Sequence, residues 1–215
     1  MFKFYFRFAL YLVMFVGFSS ARAGTYEDFF KAVSFDDARS VSQLLERGFD
    51  PNSLDDKGQA PLYLSLREGS FKVAAVLLDH QGTRVDQANS VGETALMISA
   101  LKGQTDWLQK LGARGASLEP KAPPAWTALH SAASGPEPKA VQWLLAHGAK
   151  VDARSPNGST ALMLAARYGP EDAVELLLKQ GANARLRNDL DLGAADFARQ
   201  AGRDALAERL AQAAR

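Results

Sequence analysis

Three histidines, His80, His130 and His147, are the residues of this 215-residue chain best suited to proton transfer or metal ligation near neutral pH. None stands at metal-ligand spacing from another, and the chain has no HExxH pair, no Walker-type phosphate loop and no GxGxxG run. Cysteine does not occur, which excludes a disulfide framework, a thiolate metal site and a thiol nucleophile. The acid pairs Asp36-Asp37, Asp55-Asp56 and Glu171-Asp172 have the chemistry for general acid and base work. They fall, however, in loops and at helix starts, where carboxylates cap N-termini and complement the helix dipole. His147 stands before Gly148 at an expected helix end, where a partly charged imidazole complements the opposite end of the dipole, and His80 reads in the same way. Asn157-Gly158-Ser159 has the form of a glycosylation acceptor, but Asn-Gly is also a preferred two-residue hairpin tip. The expectation is no catalytic residue, no cofactor and no metal.

The elements that would position these groups begin after an unusual start, MFKFYFRFALYLVMFVGFSSARAG. Lys3 and Arg7 give a basic head, Ala9 to Phe18 an apolar centre, and Ala21-Arg22-Ala23 a small-x-small cleavage pattern, so residues 1–23 read as a secretory signal peptide. The apolar run of about ten residues is short of the roughly twenty that a membrane-spanning helix needs, so no stable membrane insertion is expected after cleavage. Removing Lys3, Arg7 and Arg22 from the 25 bases leaves 22 against 24 acids, and the mature chain is slightly acidic. Dispersed bases and the absence of a basic stripe interleaved with aromatics argue against nucleic acid as a partner. An exported chain without disulfides has to be held by packing, and residues 24–215 are enough to bury a sizeable core.

The strongest feature is a period. Thr94-Ala95-Leu96-Met97, Thr127-Ala128-Leu129-His130 and Thr160-Ala161-Leu162-Met163 begin 33 residues apart, and Ala60-Pro61-Leu62-Tyr63 lies 34 before the first of them. Gly193-Ala194-Ala195-Asp196 follows 33 after Thr160. Within one unit Thr160 caps a helix, Ala161, Leu162, Leu164 and Ala165 supply its apolar face, and Gly169 ends it. Pro170 then opens a second helix whose stripe is Ala173, Val174, Leu177 and Leu178, closed by Gly181. A pair of short amphipathic helices cannot bury its apolar faces alone, so neighbouring pairs must stack.

On these residues, TALH at Thr127 to His130, APLY at Ala60 to Tyr63 and LLAHGAKVDARSPNGST at Leu144 to Thr160, the chain resembles the ankyrin-repeat family across essentially all of its mature length. The resemblance implies an all-α solenoid of about six stacked helix-turn-helix units with hairpin-like fingers, starting near residues 25, 58, 92, 125, 158 and 191. It implies that His130 makes local hydrogen bonds between turns. It also implies a protein partner held on a concave side lined by first helices and finger tips. Carried over by position, the contact residues are Arg67, Val91, Leu101, Trp126, Arg167, Tyr168 and Leu190. Exposed aromatics and arginine are the usual anchors of an interface.

Departures from the repeat mark the ends and the middle. Phe29, Phe30 and Val33 in the first unit, and Asp196 with a run of Arg and Ala in the last, read as capping units with polar outer faces. Gly112 stands where Leu78, Leu145 and Leu178 stand elsewhere, which predicts a helix end weakened by about 1 kcal/mol per glycine plus lost burial. The next finger, Pro120 to Trp126, has three prolines and no hairpin glycine. The reading is a non-enzymatic protein-binding module, exported to a bacterial periplasm, that inhibits, protects or positions an envelope enzyme. Two alternatives stay open: a hydrolase with its site between Leu111 and Trp126, and a scaffold that stacks on itself.

Overall fold

The computed structural model describes residues 24–119 and 125–215. The expected signal peptide, residues 1–23, and the proline-rich part of the third finger, residues 120–124, lie outside the described residues. Among the described residues, twelve α-helices occur in six consecutive pairs. Helix α1 covers residues 24–34 and α2 Ala38–Glu46; α3 is Pro61–Glu68 and α4 Phe71–Asp79. Next come α5 Ala95–Leu101, α6 Thr105–Ala113, α7 Ala128–Ser134 and α8 Pro138–Ala146, followed by α9 Ala161–Tyr168, α10 Glu171–Lys179, α11 Ala194–Gln200 and α12 Asp204–Ala213. No described helix is long and apolar enough to cross a membrane.

The chain divides into two compact units, one ending at Thr83 and one running from Arg84 to Arg215. In the first, Phe29 of α1 is fully buried and its ring stacks on Phe49 at a centroid distance of 4.1 Å, while α2 packs on α4 through Val41 and Leu45. In the second, α5, α7, α9 and α11 lie side by side as a layer of first helices. A layer of second helices, α6, α8 and α10, backs it, and α12 packs on α11.

The composition of the helices explains this order. Second helices bury one stripe at positions i, i+1 and i+4: Val73, Ala74 and Leu77 in α4, Ala140, Val141 and Leu144 in α8, Ala173, Val174 and Leu177 in α10. First helices are enclosed on both sides, and in α9 all of Ala161 to Ala166 is buried. Their alanines allow close neighbours, and two glycines set the spacing. A Cβ on Gly135 would stand 2.4 Å from the Leu101 carbonyl oxygen, and one on Gly169 2.4 Å from that of Ala133. The Oγ1 of Thr94 accepts from Met97 N–H at 3.4 Å and that of Thr127 from His130 N–H at 3.3 Å, whereas Thr160, the cap expected from the sequence, stands at the start of α9 with its N–H donating to Met163 Sδ at 3.4 Å. Asp37 accepts from the Ser40 hydroxyl at 2.6 Å and caps α2 through Ser40 N–H, and these hydrogen bonds hold its carboxyl below the ordinary aspartate range.

Gly112, read from the sequence as a weak point of its helix end, has a contact that its own repeat does not supply. Helix α6 runs its full nine residues past it, because the glycine receives the ring of Trp143 from α8. A Cβ there would lie 2.7 Å from Trp143 Cη2. The missing leucine is replaced by the neighbouring repeat's indole, a volume exchange that no single repeat shows by itself.

Hydrogen bonds spanning 29 to 31 residues tie successive repeats within each unit. Asn52 Nδ2 donates to the Gly82 carbonyl at 2.8 Å; Asp86, Glu119 and Asp152 accept from the backbone N–H of Ser117, Lys150 and Asn183 at 2.8, 3.0 and 3.0 Å. Arg185 Nε donates to Ala214 O at 3.1 Å. At the C-terminal end, Arg203 Nη1 donates to the carbonyls of Ala165, Ala166 and Gly169 at 3.2, 3.0 and 2.8 Å. That guanidinium caps the end of α9, adding to the bond that the Ala165 carbonyl already accepts from Gly169 N–H at 3.0 Å.

Candidate protein-binding surface

The fingers share one construction. In the fingers that begin at Asp55, Asn89, Ser155 and Asn188, the N–H of the fourth residue donates to the first residue's carbonyl, and the first residue's N–H donates to the carbonyl of the fifth. In three of them the first side chain takes two more backbone donors. Asp55 Oδ1 accepts from Lys57 and Gln59, Asn89 Oδ1 from Val91 and Glu93, and Asn188 Oδ1 from Leu190 and Leu192. The tip is therefore one residue longer than the expected two-residue Asn-Gly turn: Pro156 and Asn157 occupy its centre, and Gly158 follows with φ +73°. In the last finger Asp191 takes that left-handed place at φ +56°.

This construction places Val91 and Leu190 at the third position of their fingers, 75% and 73% exposed. Leu101 and Arg167 occupy one repeat position at the C-terminal ends of α5 and α9, and Tyr168, 60% exposed, ends α9 beside Arg167. The Arg167 guanidinium sits 5.2 Å from the Tyr168 ring centre and donates to Gln200 Oε1 of α11 at 2.8 Å. Trp126, 43% exposed, stands at the base of its finger with its ring edge-on to His130 at 5.4 Å. In the first unit Arg67 holds the same repeat position in α3, where it pairs with Glu68 at 2.8 Å and donates to Gln59 Oε1 at 3.0 Å. Within the second unit, α5, α7, α9 and α11 thus bring Leu101, Arg167 and Tyr168 to the same end of one helix layer, with Trp126 and the two apolar tips on its fingers.

All three histidines work in the scaffold. His130 is 1% exposed; its Nδ1 accepts from Thr127 N–H at 3.1 Å, which leaves the proton on Nε2 to be donated to the Ser159 carbonyl at 3.1 Å. Burial pushes its pKa below the ordinary histidine value. His147 Nδ1 donates to the Trp143 carbonyl at 2.7 Å with its ring stacked on that indole, and His80 Nδ1 accepts from Gly82 N–H at 3.2 Å. Among the acids, Asp36 accepts from Val73 N–H at 2.9 Å, Asp55 holds its finger, and Glu171 pairs with Arg209 at 2.8 Å. No group of three or more His, Cys, Asp or Glu able to hold a metal ion occurs among the described residues.

One feature escapes a reading of the sequence. A cavity of about 190 Å³ opens between Ala88, Thr94, Met97 and Ala128 on one side and Ser117 and Glu119 on the other. Residues from three successive repeats form it, so no local motif marks it. It adjoins the stretch where a hydrolytic site was the alternative, but its polar groups are engaged: Ser117 Oγ donates to the Glu119 carbonyl at 2.7 Å, and Asp86 and Glu119 hold backbone N–H groups. Among the described residues nothing there pairs a nucleophile with a base.

Stacked helix pairs, laced by hydrogen bonds 29 to 31 residues apart and ending in fingers with exposed apolar side chains, define a repeat scaffold of the protein-binding class. The family description "Ankyrin repeats (3 copies)" matches residues 29–122 and 115–188, and the chain belongs to the ankyrin-repeat family. Over 85 residues, 40% of the chain, it is 33% identical to the human transient receptor potential cation channel subfamily A member 1. Over 80 residues, 37% of the chain, it is 35% identical to human neurogenic locus notch homolog protein 4. The matches span 8% and 4% of those relatives' own length. A chain from the solved complex of the Bd0816 predatory endopeptidase of Bdellovibrio bacteriovorus with immunity protein Bd3460 superimposes with a TM-score of 0.72 and 26% identity, over 86% of this chain and 97% of that one.

Proposed function

We propose that this chain is a non-enzymatic module that acts in the cell envelope and holds a partner enzyme through the first-helix ends and fingers of its second unit. The observation that carries this reading is the division of labour among side chains. Histidines and finger-holding Asx residues build the scaffold, while Trp126, Tyr168, Val91 and Leu190 stand exposed on it. Large exposed aromatics on a preorganised frame cost little entropy to dock. Residues 1–23 support export by their basic head, apolar centre and cleavage pattern. Likeness to a chain from a complex of an endopeptidase with an immunity protein makes an envelope peptidase, inhibited or shielded by this module, the first partner to test.

The test expresses the full chain with a C-terminal tag and captures its partners from envelope extract, beside Trp126→Ala/Tyr168→Ala. The expected result is an envelope enzyme retained by the native protein and lost from the folded double variant. Equal capture by both forms would remove the aromatic residues from the surface, and capture of nothing would remove the binding function.

A further inference from the structure

The two helix layers of the second unit carry opposite charge. The first helices α5, α7, α9 and α11, with the cap residue Lys102, hold three cations, Lys102, Arg167 and Arg199, and a single acid, Asp196. That acid is already neutralised by Arg199 at 2.8 Å and Arg187 at 3.6 Å, and it accepts from Gly193 N–H. The second helices α6, α8, α10 and α12, counted in the same way with the cap residue Arg114, hold six acids against five cations. The chain's near-neutral total conceals this polarity.

Arg167 is its focus. Among the described residues its guanidinium meets the Gln200 amide and the Tyr168 ring, and no carboxylate. A planar guanidinium held from one side by a neutral amide and flanked by an exposed aromatic ring keeps N–H donors for a bidentate carboxylate. Elsewhere on this unit, Arg187 and Arg199 pair with Asp196 and Arg203 and Arg209 with Glu171, while Arg154 and Arg185 donate to backbone carbonyls.

We infer that the partner meets the first-helix layer of the second unit with an acidic segment, one carboxylate of which pairs with Arg167 while an apolar or aromatic neighbour packs on Tyr168. The inference rests on the binding reading above and specifies the partner's chemistry. The cations draw the segment in, and the acidic second-helix layer repels it, so the charge pattern selects a face as well as a partner.

The probe is a library of random twelve-residue peptides displayed on phage and selected against the full chain. Enrichment of Asp and Glu beside an apolar or aromatic residue is expected. Synthetic peptides from that pool should lose at least tenfold in affinity against Arg167→Glu, weaken with salt, and bind Lys139→Glu, a change on α8 in the other layer, as they bind the native protein. Circular dichroism checks that both variants fold. Basic or uncharged winners, no winners, or acidic winners indifferent to Arg167→Glu each overturn the acidic-segment inference. Envelope capture measured in parallel keeps the two readings apart: a partner that still binds native protein and is lost from Trp126→Ala/Tyr168→Ala leaves the module's function standing without its charge rule.

Discussion

A neutral imidazole is built into the junction between α7 and the finger that follows α8. His130 accepts from Thr127 with one nitrogen and donates to Ser159, in the next repeat, with the other. Protonation adds a hydrogen to Nδ1 and turns that accepted bond into a clash of donors. Because burial lowers the folded-state pKa, the unfolded chain takes up the proton first as pH falls. Stability is therefore full above about pH 6.5, the usual histidine value, and declines below it toward the folded-state pKa. Urea midpoints at pH 7.5 and 5.0 should differ more for the native protein than for His130→Met, which places here the residue found at Met97 and Met163. Equal pH dependence in the two proteins would rule the junction out as its source. Gly112 and Trp143 give a second test at this scale. Gly112→Leu should cost about 1–3 kcal/mol by overpacking. Adding Trp143→Leu, which copies the Leu145 and Leu176 pair of the next junction, should recover most of it in a denaturation series. A double variant no better than the single one would mean the indole does not fill the slot.

At the scale of elements, the finger is a turn whose shape is set by its first residue. Asn188 is 7% exposed and holds two backbone N–H groups, so Asn188→Ala should cost about 1–3 kcal/mol and loosen the last finger. Asp191→Gly should stabilise by about 0.5–1 kcal/mol, since φ +56° suits glycine better than aspartate. Thermal unfolding of the two variants reads both signs, and a stabilising Asn188→Ala would sink this account of the turn. The helices themselves were legible in the sequence, because caps such as Thr94 and Thr127 and stripes such as Val174 and Leu177 are written locally. Exposed positions could be assigned by register, as Val91 and Leu190 were. What stayed hidden depends on two repeats at once. Gly112 looks like a defect until Trp143, thirty-one residues later, is seen to fill it. The Arg203 cap on α9 and the charge contrast between layers are of the same kind: each residue is ordinary in its own unit, and only stacking gives it a partner.

For the whole molecule, the proposed export makes a prediction that needs no partner. If residues 1–23 are removed during secretion, N-terminal sequencing of the protein recovered from the envelope fraction begins at Gly24, directly after the Ala21-Arg22-Ala23 pattern. An intact Met1 on protein from that fraction would overturn the cleavage. The hydrogen bonds at the finger bases have a further consequence. Asp86, Glu119 and Asp152 each reach a backbone group 31 residues ahead. Their address is relative, counted from wherever the residue happens to stand. A gene that duplicated or lost one whole unit would leave every such residue with a valid address in the copy beside it. Heredity can therefore adjust the number of units stepwise, and so the breadth of partner the protein can span, without rewriting the letters that hold any one of them.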